Sequence, residues 1–376
     1  CHVIVSSRNK NPDTFTSYEL GKIPFRSCKA LFQEFYKIDF DNYYMNEIIH
    51  KTGYLTLAIE LLAKTGQKMG IKLETFYNKL AKKGFDIKTV IESNWDNSGE
   101  RLNLEISKHF EKVFDLSQVT KNAESIYILS NISLFPYLSI NQSKIIEWLH
   151  LDEENNLLSE LNDSGWLECT NCEYSMHPVI SFTIKKYHKP TYEECSFLVS
   201  EMGKQIQIVD SFLDSLMYLP YATSIGRYFK NKKFWNLTSS EPLALLFIRV
   251  SEIFRNNGEY SNALNWAETS EQIWHYSDQS YRLLINTICN TMSEIYLDMR
   301  DKNTDCEYWA LRAISEDEKS DTIDDFSRSV SYHNLGSAYI QLEQNEKALE
   351  WQIKAVELRK KCCITKESKT RLANSY

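Results

Sequence analysis

Apolar and polar residues alternate along most of this chain with the period of a helix. After Ser27, the residues Ala30, Leu31, Phe35 and Ile38 recur at the spacing that lines one helical face. The pattern predicts further helices near Met45–Thr52, in LTLAIELLAKTGQKM after Gly53, near Lys72–Lys82 and over 102–116. The polar stretch SNWDNSGER before the last of these reads as a loop. Residues 26–116 therefore read as a small helical domain.

Between 117 and 190 the rhythm changes. SIYILSNISLF reads as a helix stopped by Pro136, and NQSKIIEWLH as a short helix capped by Asn141. ENNLLSELNDSG reads as a third, ended by Gly165 in a left-handed conformation. WLECTNCEYSMHP then alternates around a turn expected at Thr170–Asn171, which is a hairpin signal. Three helices followed by a hairpin is the order of a winged helix.

From about Thr191 the pattern is helical again, and it repeats. FIRVSEIFRNNGEYSNALNWAETSEQI, ICNTMSEIYLDMRDKNTDCEYWALRAI and YHNLGSAYIQLEQNEKALEWQIKAV align as helix–turn–helix units. Their aromatic anchors Phe254, Tyr296 and Tyr339 lie 42 and 43 residues apart, and the small residues Ala263, Cys306 and Ala348 keep nearly the same step. Tyr332, Leu335, Gly336, Tyr339, Ala348 and Ala355 fit the tetratricopeptide pattern, although the step exceeds the usual ~34 residues. Residues 191–376 thus read as an α-solenoid of tetratricopeptide-like repeats. The closing TRLANSY resembles SRSVSYHNLG, the opening of the preceding unit, so the chain is expected to stop where a further repeat begins.

The other end raises the opposite question. CHVIVSSRNK holds a short β-branched strand, Val3–Val5, with no partner strand nearby and no initiator methionine. The loop NKNPDTFTSYELGKIP follows, punctuated by Pro12, Gly21 and Pro24. Residues 1–25 are expected to be the tail of a domain that lies upstream, and the chain a fragment of a longer protein.

Composition narrows the reading. The chain has 376 residues, only 11 glycines and 7 prolines, and an aromatic content of 13%. Few breakers agree with long helices. The net charge of −8 argues against a broad nucleic-acid surface, which needs clustered positive charge. Nine cysteines at irregular spacing suggest no disulfide framework, so a reducing, cytoplasmic setting is expected. No apolar run approaches the ~18 residues of a membrane span.

Helical domain, winged helix and repeats, in that order, resemble the regulatory part of STAND-type ATPases of the NB-ARC group. The fold expected is mainly α: the end of an α/β NTPase domain, a helical bundle, a winged helix and an α-solenoid. HVIVSSR resembles the family's sensor strand, and the resemblance makes Arg8 the sensor of the nucleotide's terminal phosphate. A guanidinium suits that role because its planar fork binds phosphate oxygens through two hydrogen bonds. Gly53-Tyr54-Leu55-Thr56-Leu57-Ala58, preceded by Ile48 and Ile49, resembles the Gly-x-Pro-Leu-Ala motif that lines the nucleotide base. Thr56 stands where the motif has proline, or the register is loose by one residue; Gly53, Leu55 and Thr56 are the candidates. Tyr174-Ser175-Met176-His177-Pro178 resembles the Met-His-Asp-type motif, whose histidine holds the β-phosphate of ADP in the closed state. That implies such a role for His177, with Pro178 replacing the acid. Its local alternative is a hairpin-end histidine bonded to backbone.

The resemblance implies ADP or ATP as ligand, with Mg²⁺ supplied from upstream. The chain contains no Gly-x4-Gly-Lys-Ser/Thr loop and no apolar strand ending in paired carboxylates, so alone it supplies at most one wall of such a site. The function expected is the regulatory segment of an ADP/ATP-dependent signalling switch. Its repeats would take a protein or peptide partner, and the activated protein would form a homo-oligomer. The alternatives are a tetratricopeptide scaffold or a winged-helix transcriptional regulator. Against the latter, the candidate recognition helix Glu153–Asp163 carries four acids and no Lys or Arg. Cys169-x-x-Cys172 has no second ligand pair at zinc spacing and reads as the wing tip. The acidic run Ser315–Asp325 reads as a solvated loop between repeats.

Overall fold

The computed structural model describes residues 23–38, 42–89, 99–116, 118–152, 156–207, 212–235, 240–276, 282–300, 303–319 and 323–362. The Val3–Val5 strand, Arg8 and the TRLANSY segment lie outside the described residues. The chain divides into two compact units, 1–190 and 191–376.

In the first unit, α1 (Phe25–Tyr36) buries Cys28, Phe32 and Tyr36, one residue per turn on a single face. α2 (Tyr43–Lys51) starts at Asn42, whose side chain accepts the Tyr44 N–H at 2.8 Å. α3 (Thr56–Met69) is apolar on most sides and buries Ala58, Ile59, Leu61, Leu62 and Ala63, so it forms the centre of the bundle. α4 (Leu73–Lys82) and α5 (Gly99–Leu116) complete it. Each large apolar side chain removed from water here contributes about 1.5–3 kcal/mol.

The chain continues as α6 (Ala123–Ser133), β1 (Ile140–Asn141), α7 (Gln142–Leu149), α8 (Leu157–Asp163), β2 (Glu168–Thr170), β3 (Glu173–Ser175) and α9 (Pro178–Thr183). The three strands are antiparallel in the order β1-β3-β2, with Ile140 opposite Tyr174 and Glu168 opposite Ser175. This connectivity and strand order are those of a winged helix. Asn141 caps α7 as its sequence position implies, accepting from Ser143 N–H at 2.9 Å. Gly165 ends α8 with a φ of +79°.

The wing turn lies one residue later than the alternation implies. Thr170 belongs to β2, and the two loop residues are Asn171 and Cys172, at φ of +52° and +62°. Two successive left-handed residues match the right-handed twist of the flanking strands, and asparagine tolerates that conformation. The short β1 strand is absent from the sequence pattern because two residues carry no periodicity.

Bundle and winged helix share one unit. Lys64 of α3 donates to the Asn162 carbonyl at 3.2 Å, and Lys68 Nζ to Ser164 Oγ at 2.8 Å. Trp166 is fully buried, edge-on to Phe114 at 5.0 Å.

The second unit is built of helical hairpins. α10 (Tyr192–Gln205) and α11 (Phe212–Phe229) precede three repeats: α12 (Ser240–Asn256) with α13 (Tyr260–His275), α14 (Arg282–Met299) with α15 (Asn303–Glu318), and α16 (Asp325–Gln341) with α17 (Asn345–Cys362). Ala263, Cys306 and Ala348 are each the fourth residue of the second helix, and each is buried. Small size lets the first helix approach closely. Ser251 Oγ donates to the Ala263 carbonyl at 2.7 Å, and Ser293 Oγ to the Cys306 carbonyl at 3.1 Å. Gly336 takes the third such place. Tryptophans 266, 309 and 351 form another column. Trp266 packs on Phe247 at 4.7 Å between ring centroids, and Trp351 on Tyr332 at 5.2 Å. A Cβ at Gly226 would come within 2.6 Å of the Trp266 ring, so no larger residue fits there without displacement.

The acidic run departs from expectation. Ser315 to Glu318 complete α15 rather than opening a loop, and Glu316 and Asp317 are buried. The reason is specific pairing. Glu316 meets Arg282 Nη1 and Lys319 Nζ, each at 2.8 Å, while Asp317 meets Asn286.

Candidate functional site

The turn between α2 and α3 is shaped by two successive left-handed residues, Gly53 at φ +60° and Tyr54 at φ +65°. Glycine takes this conformation at no steric cost. Gly53 N–H donates to the His50 carbonyl at 3.1 Å and Leu55 N–H to the Thr52 carbonyl at 3.3 Å. Leu55 is the N-cap residue of α3 and supplies no side-chain cap. Thr56 is the first helical residue and is exposed. The first helical position is where proline costs nothing, because its N–H has no partner inside the helix. Thr56 thus sits where a helix-starting proline would be accommodated.

An aromatic group beside this turn is invisible in the sequence pattern. Phe25 stacks on His50 with ring centroids 5.0 Å apart and planes 16° apart, and Tyr54 meets Phe25 edge-on at 6.1 Å. Tyr54 OH and His50 Nδ1 lie 2.7 Å apart, and Lys29 Nζ stands 4.9 Å over the Phe25 ring. Helix N-terminal N–H groups suit an anion, and α3 begins at this turn.

His177 is the N-cap residue of α9, with Pro178 at the first helical position. Its Nδ1 accepts the Val179 N–H at 3.2 Å. In the neutral ring that places the proton on Nε2. Proline after histidine therefore has a structural reason: it starts the helix that histidine caps. Tyr137 lies 5.9 Å from the His177 ring, and its hydroxyl donates to Glu168 Oε2 at 3.0 Å. Tyr137, Leu138 and Phe182 are exposed apolar side chains of this module. The structure gathers Gly53, Leu55 and Thr56 at one turn and places His177 in the winged-helix module; Arg8 is outside the described residues.

Two titratable groups escaped the sequence pattern. His109 on α5 accepts the Asp86 N–H through Nδ1 at 3.0 Å, and burial, aided by Lys112, lowers its pKa to about 4. Asp317 is held by burial at about 6, against the opposing pull of Ser331, Arg328 and Asn286. A neighbour-dependent shift of this kind cannot be read from a residue type.

α8 buries Leu157, Leu158 and Leu161 and carries no basic residue. Cys172 is exposed in the wing turn and Cys169 lies in β2; both are free thiols. Among the described residues, no group of three His, Cys, Asp or Glu side chains could hold a metal ion. Nor is any helix of the described residues long and apolar enough to cross a membrane.

The repeat array carries exposed apolar side chains. Tyr308 and Leu311 on α15, and Leu349 and Ile353 on α17, are exposed. A cavity of about 410 Å³ lies against Gly258–Asn262 and Asp298–Met299.

Residues 330–362 match the tetratricopeptide repeat family. Among solved structures, the chain is similar to a Signal Transduction ATPase with Numerous Domains (STAND) protein with a tetratricopeptide repeat sensor from Pyrococcus horikoshii. That match has 17% identity and a TM-score of 0.27, and covers 84% of this chain and 56% of the other. This chain thus spans little more than half the length of that protein. No curated protein matches the sequence. α16 and α17 form a tetratricopeptide repeat, the last described hairpin of a helical array.

Proposed function

We propose that this chain is the regulatory segment of a STAND-type, ADP/ATP-dependent signalling switch of the NB-ARC group. The bundle and winged helix would form one wall of the nucleotide site, and the repeats would sense a protein or peptide. The observation that carries this reading is the state of His177. Its Nδ1 is committed to the Val179 N–H, so Nε2 carries the proton and is the nitrogen able to donate to a phosphate oxygen. The α2–α3 turn supports it, with Thr56 at the first helical position and the Phe25–His50–Tyr54 group beside it.

In this reading ADP is the ligand of the closed state. The nucleotide supplies a negatively charged tether, and His177 holds it by a hydrogen bond donated from Nε2. Arg8 would read the γ-phosphate when ATP replaces ADP, and opening would expose surface for oligomerisation. Adenine is the base that the resemblance implies. In this reading the chain gates a nucleotide site whose phosphate-loop motif its own sequence does not hold.

The test is nucleotide content of the full-length protein after purification. His177→Ala is expected to lower retained ADP about tenfold or more, and Arg8→Ala to blunt the response to ATP while sparing ADP. Unchanged ADP retention in His177→Ala contradicts the role given to that residue.

A second reading, a repeat scaffold with no nucleotide, is favoured by the tetratricopeptide match and by exposed Tyr308 and Leu311. It predicts that both substitutions leave signalling intact.

A further inference from the structure

The packing between the second and third repeats has an unusual interior. Asp317 on α15 is 2% exposed. Asn286 of α14 donates to its Oδ1 at 2.5 Å, and the same amide lies 3.1 Å from Ser331 Oγ of α16. Asn290 Nδ2 reaches Ser331 Oγ at 3.0 Å, and Asn334 Nδ2 reaches Asn290 Oδ1 at 3.2 Å. A continuous polar row thus crosses from α15 through α14 to α16, with each amide or hydroxyl buried. At one end of the row, Asp317 Oδ2 is buried without a well-formed hydrogen bond among the described residues, although the Ser331 hydroxyl draws on the carboxyl.

The charges around Asp317 do not compensate it. On its own helix, Glu316 is already engaged with Arg282 of α14 and with Lys319, and Glu318 adds a like charge. From α16, Arg328 attracts it without forming an ion pair, and contacts Asp325 at 3.9 Å instead. The equivalent positions in the neighbouring repeats hold Trp274 and Arg359, so the acid is particular to this joint. An ionised carboxylate buried with an unsatisfied oxygen is costly, and a proton removes that cost.

We propose that the joint between the second and third repeats is proton-gated: a proton on Asp317 tightens the packing of α16 and α17 onto α14 and α15, and its loss loosens them. The proton comes from solvent and resides on Oδ2, the oxygen that lacks a well-formed hydrogen bond. The sign follows from linkage. Asp317 has a folded pKa of about 6, above the ordinary value of 3.8. Its ionisation therefore opposes folding fully above about pH 6, and the penalty fades as pH falls towards 4. A repeat joint that moves with pH changes the curvature of the array, and with it the surface offered to a partner. The inference is independent of the nucleotide reading, because no residue is shared between them.

The test is native-state hydrogen exchange of the whole chain, corrected for intrinsic rates, at pH 5 and pH 7.5. Protection in α16 and α17 is expected to be about tenfold greater at the lower pH, with α12 and α13 showing no such gain. Asp317→Asn, which cannot ionise, is expected to remove the difference. An equal pH dependence in both proteins, or none in the wild type, overturns the proposal. Should the variant fold poorly, the carboxyl carbon of Asp317 can be titrated by NMR in the wild type. A midpoint near 6 supports the joint, and one near 4 overturns it.

Discussion

The two units place their polar chemistry in opposite ways. In the 1–190 unit the candidate groups stand at helix starts and turns: Thr56 opens α3, His177 caps α9, and Tyr137 is exposed beside it. In the repeat array the notable polar groups are inside. Asn286, Asn290, Asp317 and Asn334 are all buried between helices. Groups at helix starts can meet a ligand without disturbing the core. Groups in a repeat joint can act only through packing. The comparison therefore separates sites whose loss costs binding from sites whose loss costs stability.

The largest effect that sharpens this contrast is expected at Trp266. It packs between Phe247 and Gly226, so Trp266→Ala leaves a cavity and should cost about 3–5 kcal/mol in urea unfolding of the array. Next is Asn290→Ala, which interrupts the buried polar row. About 1–3 kcal/mol of destabilisation is expected, because Asn334 and Ser331 lose a partner. A loss under a few tenths of a kcal/mol there would break the comparison.

The two units should also respond to acid with opposite sign. His109 has a folded pKa of about 4, below the ordinary 6.5, so its neutral form is the one the fold prefers. Its contribution is present above about pH 6.5 and is lost as pH falls towards 4. With discount for partial solvent screening this is of order 1–2 kcal/mol. Asp317 acts the other way over nearly the same window. Residue-resolved exchange between pH 7 and pH 5 should thus weaken the α5 region while strengthening α16. His109→Gln should make the α5 response flat.

A smaller effect is expected at the start of α6. Asn122 accepts from both Glu124 and Ser125 N–H, and Asn122→Ala should cost about 1 kcal/mol in thermal unfolding.

What the sequence showed follows from what each feature leaves in a pattern. The repeats were legible because one step recurs, and Ala263, Cys306 and Ala348 indeed occupy one place in three hairpins. The winged helix was legible from three helices and a hairpin. Its β1 strand was not, being two residues long, and its turn was misplaced by one residue because Cys172 carries no turn signal. Glu316 and Asp317 were read as solvated because charge usually marks an outer face. Their partners lie on other helices, some over thirty residues away in sequence. Of the candidate site, the α2–α3 turn was legible through Gly53. The stacking of Phe25 on His50 was not, since nothing local links those two residues. The cap made by His177 was legible only as an alternative, and the structure contains it.

The account rests on His177 as a group that serves ligand more than fold. The most direct measurement compares ADP retention and thermal stability in the full-length protein with and without His177→Ala. Loss of one capping bond should cost only about 0.5–1 kcal/mol of stability. Retained ADP should fall about tenfold or more over the same comparison. A variant that keeps its ADP, or one whose stability collapses in step with its nucleotide, contradicts the account.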